Sequence, residues 1–359
     1  MSALLNRREQ RRSVDRLMRC VAGAAVALVV LLLEGCAGRY LGGPLLVEDF
    51  LIPARDPGIQ LFVRNKSAAD KTVFTGDHTL LFVHGATYPG ETTFDLRLGG
   101  RSWMDYLAAR GFDVYLVNVR GYGRSTRPTA MAQPADANPP FAGTEEAVRD
   151  VEVAVDFILK RRGVARLNLM GWAWGTTTTA LFTTRNTDKV GKLILVAPVW
   201  TPPPGTIAPP VPSTAYRSVT IEAEHQRWLT GVPADKQKDL IPAGWFEAWS
   251  KAVLESDPVG AAQTPPVMRA PNGALRDIFG QWLAGKPMYD AASIRVPTLL
   301  IKGEWDVDTP AVMAQRLFAG LINAPLKVYT EIGEATHSIM LEKQRPQLFR
   351  SVQMFLDAR

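Results

Sequence analysis

Cysteine is almost absent from this chain: of 359 residues only Cys20 and Cys36 are cysteines, and both precede residue 37. No disulfide can therefore form inside the folded part. With only four histidines, His78, His84, His225 and His337, the Cys/His supply of a structural zinc site is missing too. The apolar run Val21 to Leu33 has thirteen residues, short of the roughly 20 that span a bilayer. Nor is there an excess of one charge. Lys and Arg number 41 against 35 Asp and Glu, a net +6, and six arginines with three acids before Cys36 already supply +3 of that. The remainder is only mildly basic, which argues against nucleic acid as a partner.

What is present is an ordinary globular composition, 47% hydrophobic and 21% charged, with a mean hydropathy of −0.02. That suffices for a large core, and chains of this size commonly form one α/β unit carrying an insertion. Residues 1–36 read as an address rather than as structure. Arg7, Arg8, Arg11, Arg12, Arg16 and Arg19 precede the apolar run, the layout of an export signal. The run closes on Leu33-Glu34-Gly35-Cys36, which resembles a bacterial lipoprotein processing site. The expectation is export to the cell envelope or periplasm with a lipid anchor at Cys36, or secretion after plain cleavage.

From Thr79 onward short apolar runs alternate with amphipathic stretches, the pattern of a mostly parallel sheet covered by helices on both faces. Strands are predicted at Leu80 to His84, Val114 to Asn118, Leu167 to Met170, Lys192 to Val196, Thr298 to Ile301 and Leu326 to Thr330. Ala147, Val151, Ala154, Val155 and Ile158 share one helical face, with Thr144 as the predicted cap and Gly163 just past the end. The rhythm breaks after Trp200: six of the twelve residues from Thr201 to Pro212 are proline, so the chain leaves the sheet there. Five of the nine tryptophans fall between residues 200 and 292, and they suit either a cap's own core or an apolar pocket. The predicted organisation is a leader (1–36), a first core segment (37–199), a helical cap (200–294) and a second core segment (295–359).

Leu167 to Met170 leads into Gly171-Trp172-Ala173-Trp174-Gly175 and then a helix start. Two glycines four apart are common by chance, so the information lies in the strand-turn-helix setting. A tight turn of that kind needs small residues on either side and lifts its middle side chain, at position 173, above the sheet edge beside a helix N-terminus. The arrangement resembles the nucleophile elbow of the α/β-hydrolases, and the resemblance covers Leu61 to Arg359. Other segments agree in order: His84-Gly85-Ala86 after an early strand, Arg120-Gly121-Tyr122-Gly123-Arg124-Ser125 after the next, Gly303-Glu304-Trp305-Asp306, and Gly333 to His337. The resemblance implies a doubly wound, mostly parallel sheet with the cap inserted before the acid-bearing strand. It also implies an acid at Asp306, with Asp308 as competitor, a base at His337, and oxyanion-hole amides at Ala86 and Trp174; no motif in the sequence requires a metal or cofactor.

The sequence departs from that family at the decisive place, because position 173 is alanine where G-x-S-x-G requires serine. A methyl group has no lone pair to attack a carbonyl and no proton for a histidine to remove. Thr176 and Thr177 lie on the helix beyond, with hydroxyls expected to point away. Trp172, Trp228, Trp245 and Trp249 are the candidate substrate contacts. His84 is expected to brace its loop, His225 to pack or face solvent, and Arg120 and Arg124 to bind backbone carbonyls. The reading is a serine-hydrolase type of protein for an ester, lactone or other small acyl substrate, with hydrolysis impaired or absent. The alternatives are a non-catalytic ligand-binding pseudoenzyme, or a cofactor-free enzyme using the His-Asp pair as base, such as a dioxygenase.

Overall fold

The structure, a computed structural model, describes residues 43–358; the leader and the Cys36 anchor lie outside the described residues. One sheet is laid down as β1 (Leu45–Pro53), β2 (Gln60–Ala68), β3 (Thr79–Val83), β4 (Asp113–Val117), β5 (Leu167–Trp172) and β6 (Val190–Val196). A long interruption holds β7 (Tyr216–Thr220) and β8 (Val267–Pro271), after which β9 (Thr298–Gly303) and β10 (Lys327–Ile332) rejoin the sheet. Its spatial order is β1-β2-β4-β3-β5-β6-β9-β10. β1 and β2 form an antiparallel edge, and every pairing from β4 onward is parallel. The inner strands β3, β4, β5 and β9 are buried along their whole length, as expected where helices cover both faces and Val, Leu and Ile run unbroken.

Helix α1 (Thr144–Arg162) buries the predicted face and ends at Gly163, whose φ of 65° is left-handed backbone that glycine takes without strain. Its start differs from expectation. Gly143 is the cap, the Glu146 carboxylate accepts the Gly143 N–H at 3.0 Å, and the Thr144 hydroxyl accepts instead from the Trp174 indole at 3.0 Å. The two loop arginines also differ: Arg120 pairs with Asp150 at 2.5 Å and with Asp56, and Arg124 pairs with Asp49 at 2.5 Å. Carboxylates were within reach, and charge-assisted bonds are the stronger choice for a guanidinium.

Between β6 and β9 the proline-rich stretch 201–212 has no regular structure. The insertion is not purely helical, since β7 and β8 pair antiparallel alongside α3 (Ile221–Trp228) and α4 (Trp245–Glu255). A buried ion pair helps hold it: Asp257 accepts the Arg269 backbone N–H at 2.9 Å and its guanidinium at 3.0 and 2.7 Å. Among the described residues no helix is long and apolar enough to cross a membrane.

Candidate active site

β5 ends at Trp172, and α2 (Trp174–Arg185) begins two residues later, so the chain turns within residue 173. Ala173 takes φ 51° and ψ −120°, a conformation that costs a residue with a Cβ on the order of 1–3 kcal/mol. Its neighbours permit the bend because they have no side chains. A Cβ on Gly171 would lie 2.2 Å from the Gly175 carbonyl oxygen, and one on Gly175 would lie 2.4 Å from that of Val83. The elbow is pinned by the Ala173 N–H donating to Val196 at 3.0 Å and by the Thr176 N–H and hydroxyl donating to the Ala173 carbonyl at 2.9 and 2.5 Å. The Thr177 hydroxyl likewise donates to the Trp174 carbonyl at 2.8 Å, so both threonines serve the helix backbone.

Asp306 follows β9, and His337 lies in the loop after β10. The His337 Nδ1 stands 3.1 and 3.0 Å from the two Asp306 carboxylate oxygens, which places its proton on Nδ1 and leaves Nε2 with the lone pair. Thr309 donates its N–H and its hydroxyl to the same carboxylate at 2.9 and 2.6 Å. Burial alone would lower the pKa of His337, yet the Asp306 charge and hydrogen bond outweigh it, with Asp308 adding, and the net shift is upward. Burial likewise disfavours the Asp306 carboxylate, but His337 and Thr309 outweigh it and hold its pKa below the ordinary range. Asp308 makes no bond to His337; it pairs with Arg227 at 2.6 Å.

The Trp172 indole links elbow and base, donating to the His337 carbonyl at 2.9 Å with the two rings 5.3 Å apart. Ala86 lies on the loop after β3, where a Cβ on Gly85 would come 3.2 Å from that of Ala173. The Ala86 carbonyl is fixed by the Tyr122 hydroxyl at 2.7 Å and by Arg217 of the cap at 2.8 Å. Trp174 is the first residue of α2, so its N–H has no intrahelical partner. Residues 86 and 174 thus both lie beside residue 173. His84 braces this loop: it bonds the Gly85 carbonyl at 2.7 Å and accepts the Val119 N–H at 3.1 Å, and burial pushes its pKa down to about 4.

Ala86, Trp172, Ala173, Trp174 and His337 all line one cavity of about 370 Å³. Of the cap tryptophans, Trp228, Trp245 and Trp249 are not in its wall, which corrects the sequence expectation. Large rings gain most by packing on each other: Trp228 and Trp249 meet edge to face at 5.2 Å, Phe246 joins both, and Trp245 covers Gly99 and carries Arg345 over its ring. Trp228 reaches only a crevice of about 10 Å³ behind His337. His225 lies tilted against Phe246 at 4.3 Å, outside the cavity. The cap side of the wall comes instead from Arg217, Val219, Ala223, Glu224, Arg227 and Phe279. Sequence reasoning missed the charged members, for which only their position just after the proline-rich break could have been a signal. No group of His, Cys, Asp and Glu suited to a metal ion occurs among the described residues.

This sheet, elbow and His-Asp pair define an α/β-hydrolase, and the model of the α/β hydrolase fold family matches residues 78–344. The chain belongs to that family. No curated protein matches it in sequence. Among solved structures it is similar to 2-hydroxy-6-oxo-6-phenylhexa-2,4-dienoate hydrolase from Rhodococcus sp. strain RHA1, with a TM-score of 0.57 and 13% identity over 88% of this chain and 99% of that one. A serine hydrolase from the polyaromatic hydrocarbon-degrading bacterium Cycloclasticus zankles gives a TM-score of 0.55 at 15% identity, covering 88% and 98%. A membrane phospholipase A described as a bacterial virulence factor gives 0.52 at 20% identity, covering 97% and 98%. At these identities the likeness is one of fold.

Proposed function

We propose that this chain is a serine-hydrolase-type protein for a small ester, lactone or other acyl ligand, in which alanine at the elbow removes the nucleophile and leaves the binding and charge-stabilising parts standing. The single observation that carries the reading is the strained φ of 51° at Ala173, directly beside the Trp172–His337 contact. A backbone conformation of that kind serves to present a side chain at the apex, and a methyl group gains nothing from it. Asp306 orients His337, the amides of Ala86 and Trp174 face a carbonyl oxygen, and the cavity holds the acyl chain. With no covalent intermediate available, hydrolysis is impaired or absent. A lipid anchor at Cys36 would hold the domain at a bacterial envelope membrane; radiolabelled palmitate incorporation that is lost in Cys36→Ala tests that placement.

The experiment for the function is Ala173→Ser. A fluorophosphonate probe is expected to add one adduct to the serine form and none to the chain as it stands. Hydrolysis of p-nitrophenyl butyrate should rise by several decades, against a loss on the order of 10⁶ when a hydrolase's serine is removed. Equal and negligible labelling of both proteins would overturn the reading.

A further inference from the structure

One buried polar group in the cavity has no use so far. Among the described residues, seven buried side-chain polar atoms lack a hydrogen-bond partner, and of the residues that carry them only Tyr88 lines the main cavity. Its ring is held edge to face on Trp249 at 4.9 Å, and the residue is only 3% exposed. Glu224 acts on its hydroxyl both by charge and as the acceptor it faces, without a bond of ordinary length between them, and the charges of Arg227 and Arg217 act from the same cavity wall. Burial and the Glu224 charge push the hydroxyl's pKa well above its usual value, so it remains a donor. A buried donor without a well-formed bond carries part of the roughly 1–3 kcal/mol cost of an unmade one, which a ligand atom seated between Tyr88 and Glu224 would remove.

The neighbouring charges narrow what that ligand group can be. Arg227 is compensated twice, by Glu224 at 3.0 Å and Asp308 at 2.6 Å. Arg217 has spent its terminal N–H groups on neutral acceptors: the carbonyls of Pro271 and Ala86, the Thr87 hydroxyl and the Asn272 amide oxygen. Arg227 is thus not offered to a carboxylate, and the terminal N–H groups of Arg217 are already taken. Of the neutral groups that both accept and donate, a hydroxyl is the smallest and does both through one atom, as a place between Tyr88 and Glu224 requires.

We propose that Tyr88 and Glu224 form a recognition subsite for a hydroxyl group on the ligand, so that the cavity selects hydroxylated acyl compounds over their plain counterparts. This rests on the acyl-ligand reading above and names the substrate class for the same cavity. The apolar remainder of the wall, Val219, Ala223 and Phe279 on the cap side, takes the chain that joins hydroxyl to acyl group.

The test uses the full chain, with alanine at 173 ensuring that esters are bound and not turned over. Calorimetric titration with methyl hexanoate and with its β-hydroxy and ω-hydroxy congeners should show at least one hydroxy ester binding about tenfold tighter than the plain ester. In Tyr88→Phe, which keeps the ring against Trp249, the ratio of hydroxy-ester to plain-ester affinity should fall to about one; in Glu224→Gln it should shrink. Melting curves of both variants check that they are folded. Equal binding of plain and hydroxylated esters to the original chain, or a preference that survives in Tyr88→Phe, overturns the subsite alone. Binding of none of these esters overturns both the subsite and the acyl-ligand reading.

Discussion

Asp306 faces His337 with both carboxylate oxygens, 3.1 and 3.0 Å from Nδ1, while Thr309 fixes the carboxylate from its other side. An imidazole held this way is fixed in orientation and tautomer, and its pKa is raised because the Asp306 charge outweighs burial. Two measurements follow. By NMR, His337 should titrate above 6.5 in the chain as it stands, and below it in Asp306→Asn, where burial remains and the opposing charge is gone. In the Ala173→Ser background, ester hydrolysis should rise with pH through that same raised value, because only neutral imidazole takes the serine proton. Adding Asp306→Asn should cost about 10⁴-fold in rate by releasing the tautomer. A His337 pKa unmoved by the aspartate change defeats this account.

The elbow stores strain that the present side chain does not use. At φ 51° and ψ −120° Ala173 sits in backbone space that glycine occupies freely. Ala173→Gly should therefore stabilise the fold by about 1 kcal/mol, the strain relieved less the roughly 0.5–1 kcal/mol of extra chain entropy glycine loses on folding. The expected readout is a melting temperature higher by about 2 °C. A fall on this substitution would mean that the bend costs nothing.

The cap is fastened by an ion pair out of contact with water. Asp257 is fully buried, Arg269 donates to it three times, and the same arginine reaches the Met131 carbonyl of the core at 2.6 Å. Arg269→Leu should destabilise the protein by about 3 kcal/mol or more, since it strips a buried carboxylate of its main partner. Arg269→Leu combined with Asp257→Asn should recover a good part of that loss in a denaturant titration. If the double change is as costly as the sum of the single ones, the pair is not the cause.

Much of the core was legible because parallel strands buried on both faces read as unbroken apolar runs, and β3, β4, β5 and β9 do so. β1 and β2 were not legible for the opposite reason. β2 buries Asn65, Lys66 and Ser67, which as a sequence look solvent-facing. Only the folded chain supplies their partners: Asp113 for Asn65 at 2.8 Å, and Asp105 with Asp95 for Lys66 at 2.7 and 2.5 Å. At the site, the turns that bear residues 173, 306 and 337 follow from local motifs, so they could be placed from sequence. The cavity wall could not, because whether Trp228 or Glu224 faces inward depends on the rotation of α3 against Phe246 and Trp249, which no local pattern encodes.

That helix is also tied to the base loop through one carboxylate. Glu342, fully buried, accepts from the Trp228 indole at 2.7 Å, from the Thr336 N–H at 2.9 Å and from the Thr336 hydroxyl. Burial pushes its pKa up, with the Asp306 charge adding to it, and the three donors offset only part of this, leaving it at about 7 against an ordinary 4.5. Between those two values the folded chain holds a proton that the unfolded chain has released, so stability must fall as pH rises through the window, by at most ~3 kcal/mol from this group. The raised pKa of His337 acts in the same direction, but only above its unfolded value of 6.5. Glu342→Gln carries no titrating proton and should flatten the decline between about pH 4.5 and 7, leaving only the His337 part above 6.5. Chemical denaturation of both chains across that range decides the matter: parallel curves would assign the decline to other groups, and a flattened one would make Glu342 a pH-dependent tie between the cap and the loop that bears His337.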